Sequence, residues 1–181
     1  ESRGLGDVYK RQSKDKVPWQ HMIDTCTRWS QAVILKDRKV KTILDGLKVR
    51  WCRPYGNPKV LETDQESGLT SIEAKTWFSG ESIKVVERPK HGHSHLVERH
   101  HRVLRETYNK IKQQLDSDGI AIEQQDILDA ATQSKNCINT FHGVTPQEAT
   151  FGVRSALLPD LTGGDAHLED HDPVSYTHLR A

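Results

Sequence analysis

Cysteine is scarce in this chain and poorly arranged for either of its structural uses. The 181 residues hold three, Cys26, Cys52 and Cys137, an odd number at wide spacing with no Cys-x-x-Cys pair. That excludes a closed disulfide framework and a four-cysteine zinc site, and the three are expected to be buried thiols in a reducing compartment. Long apolar runs are missing as well. The longest aliphatic stretch, Ala32-Val33-Ile34-Leu35, falls far short of the ~20 residues that a membrane-spanning helix requires. No apolar secretory segment opens the chain, so no membrane partner is expected and the location is read as nuclear or cytoplasmic. An excess of charge of one sign is also lacking: 26 Lys and Arg stand against 25 Asp and Glu, which excludes disorder driven by net charge and a wholesale polycation. A folded chain with one core remains, since this length is ample for one domain and short for two.

Residue 1 is Glu, and the chain reads as a piece of a longer protein. Its first twelve residues and residues 174–181 resemble translated sequencing-adapter tails and are expected to lie outside the native domain. Setting them aside removes Arg3, Lys10, Arg11 and Arg180 together with Glu1 and Asp7, leaving 22 basic and 23 acidic side chains in residues 13–173. Any partner with dense negative charge must then be held by local patches rather than by the overall field. Residues 13–161 are expected to form the domain and 162–173 an acidic linker.

Between these ends the pattern alternates strands and helices. Trp19 to Cys26 and Trp29 to Leu35 read as an antiparallel pair turning at Thr27-Arg28, and the unbroken apolar run of the second suggests a central strand buried on both faces. Apolar residues at Val40, Ile43, Leu44, Leu47 and Trp51 predict an amphipathic helix that stops at Pro54 and Gly56. A strand, Lys59 to Thr63, ends at Asp64. The next helix, Ser71 to Ser79, uses Ile72, Ala74, Trp77 and Phe78 and is capped by Gly80, and Ile83 to Val86 forms a further strand closed by Pro89. After the polar turn Lys90-His91-Gly92-His93-Ser94, a long helix runs from about His95 to Asp116, burying Val97, Leu104, Tyr108, Ile111 and Leu115. A last helix, Glu123 to Phe141, buries Ile127, Ala131, Ser134, Ile138 and Phe141, and Thr145-Pro146-Gln147-Glu148 has the form of a capped helix start.

Two acids occupy positions that a metal-dependent phosphoryl-transfer site would use, Asp64 at a strand end and Glu98 in the first turn of the long helix. Their 34-residue separation means little alone, because among so many acids any chosen offset is matched about one time in seven. The frames matter more. Asp64 follows Val60-Leu61-Glu62-Thr63 and precedes a polar turn containing Gly68, the place where open α/β sheets put their sites. Glu98 opens an amphipathic helix and is flanked by Arg99 and Arg102.

At these residues the sequence resembles the catalytic cores of retroviral and retrotransposon integrases. The resemblance spans residues 13–161 and rests on five motifs in order: His21-Met22-Ile23-Asp24-Thr25-Cys26-Thr27-Arg28-Trp29-Ser30; Trp51 with Tyr55-Gly56 and Pro58; Thr63-Asp64; Leu96-Val97-Glu98-Arg99; and Gly143-Val144-Thr145-Pro146 with Phe151-Gly152. Two motifs depart from the family's form: Asp64-Gln65-Glu66-Ser67-Gly68-Leu69 stands for its Asp-Asn-Gly-x-x-Phe, and His91-Gly92-His93-Ser94-His95 stands for its Gln-x-Asn-Gly.

The resemblance implies an α/β, RNase H-like mixed sheet flanked by helices, and a polynucleotidyl transferase that integrates DNA with two divalent ions, Mg2+ or Mn2+. It implies Asp64 and Glu98 as catalytic metal ligands, while Lys90, His93, Arg99 and Arg102, in the loop and on the helix beside them, are expected to touch DNA phosphates, with a solvated face as the alternative. The implied partners are retroelement ends, target DNA and further copies of the chain. The family's first catalytic aspartate lies on the strand before the visible pair, which here is adapter-like, so that strand is expected to be missing or replaced and the fragment inactive. Asp7 stands 17 residues before Asp24, a fitting register read as coincidence. Two other readings stand beside it: a non-catalytic nucleic-acid-binding or assembly remnant, and a zinc module built from His91, His93, His95, His100 and His101.

Overall fold

In a computed structural model of the protein, the described residues are 4–9, 18–64, 68–88 and 95–155. Five strands form one mixed sheet: β1 (Gly4–Tyr9), β2 (Trp19–Asp24), β3 (Ser30–Ile34), β4 (Val60–Asp64) and β5 (Lys84–Arg88), in the order β3-β2-β1-β4-β5. The first three pair antiparallel, and β1, β4 and β5 are parallel. Parallel neighbours need a crossover. Helix α1 (Val40–Leu47) lies between β3 and β4, and α3 (Ile72–Gly80) between β4 and β5. Helices α4 (His95–Ser117), α5 (Gln124–Ile138) and α6 (Pro146–Phe151) follow the sheet. The expected first-strand position is occupied, by residues 4–9.

Two apolar cores sandwich the sheet. One joins it to α1 and α3 through Met22, Ile43, Leu47, Leu61 and Phe78. The other joins it to α4 and α5 through Trp19, Ala32, Leu104, Tyr108, Leu128 and Ala131. Alternation along β2 decides this division, because successive side chains of a strand point to opposite faces. Gly46 of α1 lies close against the sheet: a Cβ there would stand 2.6 Å from Gln20 Oε1 and 3.1 Å from Val33 Cγ1, so a larger residue requires these side chains to shift.

Several boundaries differ from the sequence reading for identifiable reasons. β3 is an edge strand, not a central one, and its outer backbone is covered by α5. Ser30 N–H donates to Asn136 Oδ1 (3.0 Å), Asn136 Nδ2 donates to the Ser30 carbonyl (2.9 Å) and Ile34 N–H donates to Gln125 Oε1 (2.8 Å). Satisfied in this way, an edge tolerates an apolar sequence. The helix from Val40 continues through a π-helical stretch, Lys48–Cys52, into the short α2 (Arg53–Tyr55). It ends at Gly56, whose φ of 83° suits glycine.

Helix α3 starts one residue after Ser71, whose side chain accepts the Ala74 N–H, and it ends on Gly80 with Glu81 as its cap, so Gly80 is not the cap; Ile72 is exposed. Helix α5 stops at Ile138, which is exposed, and Phe141 forms an isolated bridge with Val144 instead of extending the helix. The α6 start carries the expected capping box between Thr145 and Glu148. Of the cysteines only Cys137 is buried; Cys26 is exposed, because it lies in the β2–β3 turn, and Cys52 is intermediate.

Candidate active site

The site is built where β1 and β4 run side by side. β4 ends on Asp64, whose strand partner on β5 is Arg88. On the other side Val8 of β1 pairs with Thr63. Asp7 therefore precedes, and Asp64 follows, one matched step of the parallel ladder. β1 slips in register at this point against both neighbours, between Gly6 and Tyr9 towards β2 and between Leu5 and Val8 towards β4. Two glycines in six residues make β1 a poor strand former, which accounts for a slip there.

Helix α4 packs against β1 and α5, so the element that carries Glu98 and the strand that ends in Asp64 both border the central strand. Val97 is fully buried and anchors the first described turn, leaving Glu98 half-buried beside it. Arg99 and Arg102 are exposed on the same helix, with Arg102 Nε 4.0 Å from Glu106 Oε1. The side chains of Asp7 and Asp64, and all of Lys90 and His93, lie outside the described residues.

The turn leaving β2 is held by Asp24. Its carboxylate accepts the Cys26 N–H (3.0 Å) and the Thr27 hydroxyl (2.8 Å), which lets Arg28 take a positive φ of 65° and reverses the chain into β3. Asp24 thus ends β2 and holds the turn that follows it.

Behind α4 lies a buried basic cluster that sequence reasoning missed. Lys135 of α5 is buried and donates to Ser30 Oγ (2.7 Å) and to the Arg28 carbonyl (3.3 Å). Burial, with the Arg28 charge adding to it, lowers its pKa to about 7. His100 packs on Phe141 with ring centroids 5.1 Å apart, and burial followed by the charges of Lys135, Arg28 and Arg99 lowers its pKa to about 3. His101 sits between Trp19 (5.3 Å) and His21 (5.7 Å). His100 and His101 thus serve different neighbours. Among the described residues no three His, Cys, Asp or Glu side chains form a metal-binding group. The remaining histidines of the zinc alternative, His91 and His93, and the side chain of His95, lie outside the described residues. One signal pointed to Lys135: it lies four and eight residues after Ala131 and Ile127, on the buried stripe of α5.

Comparison with solved structures settles the architecture. The HTLV-2 integrase catalytic core domain, solved in complex with magnesium in a trimeric form, superposes with a TM-score of 0.64 at 17% identity over 82% of this chain and 95% of that one. The fold is that of a retroviral integrase catalytic core. The BIV integrase catalytic core domain gives 0.67 at 17% identity over 82% and 93%. A chain of the simian T-cell lymphotropic virus intasome, solved with the PP2A regulatory subunit B56 gamma, gives 0.72 at 17% identity over 90% of this chain and 59% of its own. No family model and no curated protein matches the sequence. In this sheet Asp64 ends β4, next to the central strand β1, where the strand order passes from β2 and β3 on one side of β1 to β4 and β5 on the other. Among the described residues no helix is long and apolar enough to cross a membrane.

Proposed function

We propose that this integrase-like domain derives from a retroelement integrase and that Asp64 and Glu98 are its metal ligands. The observation that carries the reading is their joint placement in this fold, Asp64 closing β4 and Glu98 in the first turn of α4, both elements flanking β1. Carboxylates are hard oxygen donors and suit Mg2+ or Mn2+. Ions held there would supply activation of an attacking oxygen and stabilisation of a leaving 3′ oxygen. Arg99 and Arg102, exposed one and four residues after Glu98, would meet backbone phosphates of retroelement ends or target DNA, with Lys90 and His93 contributing from the preceding loop. Assembly with further copies of the chain and a nuclear or cytoplasmic setting belong to the same reading.

The chain as it stands is proposed to be catalytically silent. A two-ion centre needs a third carboxylate, and the residue at that place, Asp7, sits where β1 slips in register against both neighbours. Small misplacements of a catalytic group cost orders of magnitude in rate. Strand transfer assayed with Mn2+ on a labelled DNA end tests this directly. No product is expected from the chain itself, and product is expected once residues 4–9 are replaced by the first strand of a natural homologue. Activity in the unaltered chain would refute the claim of silence. Failure of the repaired chain, shown to be folded, would favour the non-catalytic remnant.

A further inference from the structure

His21 lies at the middle of the sheet's α4–α5 face, wholly buried, and neither of its ring nitrogens has a hydrogen-bond partner. A buried polar group without a partner costs free energy, and a buried charge costs far more. The groups around it make a charge worse. From α5 comes Lys135, and from α4 come His100 and His101. On the sheet its strand partners are Ala32, which is uncharged, and Tyr9, whose side chain lies outside the described residues. Behind Lys135 stands Arg28 of the β2–β3 turn. Among the described residues the groups that act on His21 are all basic. The ring nevertheless sits at the junction of three elements: it packs at 5.7 Å on His101, which in turn packs on Trp19.

We propose that His21 is the trigger of an acid-sensitive latch: uncharged, it lets α4 and α5 close on β2, and its protonation on acidification releases them. Helix α4 is the element that carries Glu98, Arg99 and Arg102, so the latch sets how firmly that helix is seated. Burial first, then the charges of Lys135, His101 and His100, hold His21 well below the ordinary histidine value. In the unfolded chain the ring takes a proton near pH 6.5, while in the fold it resists one. Stability is therefore full above that pH and falls as the pH drops below it. The latch does not depend on any catalytic role of the domain.

Two measurements test it. In the unaltered protein, imidazole C–H signals followed by NMR from pH 8 to pH 5 should show His21 not titrating within the folded state. Over the same range amide exchange in α4 and α5, corrected for its intrinsic pH dependence, should accelerate more than in β4 and β5. A folded-state His21 signal that titrates near pH 6.5 with no change in α4 or α5 exchange would overturn the proposal. Urea unfolding of the protein and of His21→Phe between pH 5 and 7.5 gives the second readout. The unaltered protein should take up about one more proton on unfolding than the variant, whereas parallel curves would contradict the latch.

Discussion

Asn136 of α5 bonds both backbone groups of one residue on the sheet edge: it accepts the Ser30 N–H at 3.0 Å and donates to the Ser30 carbonyl at 2.9 Å. Both residues are buried. A helix side chain here does the work of a missing sixth strand, and it fixes the register of α5 on the sheet. Asn136→Ala leaves a buried N–H and C=O without partners, each costing about 1–3 kcal/mol. A loss of about 3 kcal/mol in urea-unfolding stability is expected. A loss below about 0.5 kcal/mol would mean that water replaces the amide.

Lys135, one residue earlier, gives a pH-dependent prediction. Its folded pKa of about 7 lies below the ordinary 10.5. Between those values the unfolded chain keeps a proton that the fold sheds, so stability rises with pH across this window. It is lost again as the pH falls to about 7 and is insensitive to Lys135 below that. The limiting slope is about 1.4 kcal/mol per pH unit. Lys135→Met should remove this contribution, so unfolding midpoints of protein and variant compared at pH 7 and pH 9.5 should diverge. Curves that keep the same separation would show that the amine stays charged in the fold.

Arg99 and Arg102 are exposed, and their contact with phosphate is a proposal. Replacing either by Ala should weaken binding to duplex DNA uniformly across sequences and lower the slope of log affinity against log salt by about one. Fluorescence anisotropy at several salt concentrations reads this. An unchanged slope for both variants would return the two side chains to solvent.

The parts of this architecture that were legible in the sequence are those set by periodicity and local capping. The spacing of Val97, Leu104 and Tyr108 marked the buried stripe of α4, and Thr145 with Glu148 marked the α6 start, because both signals are written within one or two turns of chain. What escaped depends on long-range contact. The apolar β3 read as central because nothing local shows that Gln125 and Asn136, more than ninety residues later, cover its edge. Lys135 escaped because lysine is rarely buried, so its place on the α5 stripe carried little weight. Asp64 and Glu98 stood out through their frames, a strand end and a first helical turn. The slip in β1 at Asp7 could not be seen, since register is a property of paired strands and not of one.

The central claim is that Asp64 and Glu98 grip the same cations, and Mn2+ titration followed by electron paramagnetic resonance measures it most directly. The protein, Asp64→Asn and Glu98→Gln should be compared, each shown to be folded by circular dichroism. Mn2+ should bind the unaltered protein, and each single variant should lose at least about tenfold in affinity, because removing either oxygen ligand from a hard-ion site leaves too few. Equal Mn2+ affinity in all three proteins would contradict the account.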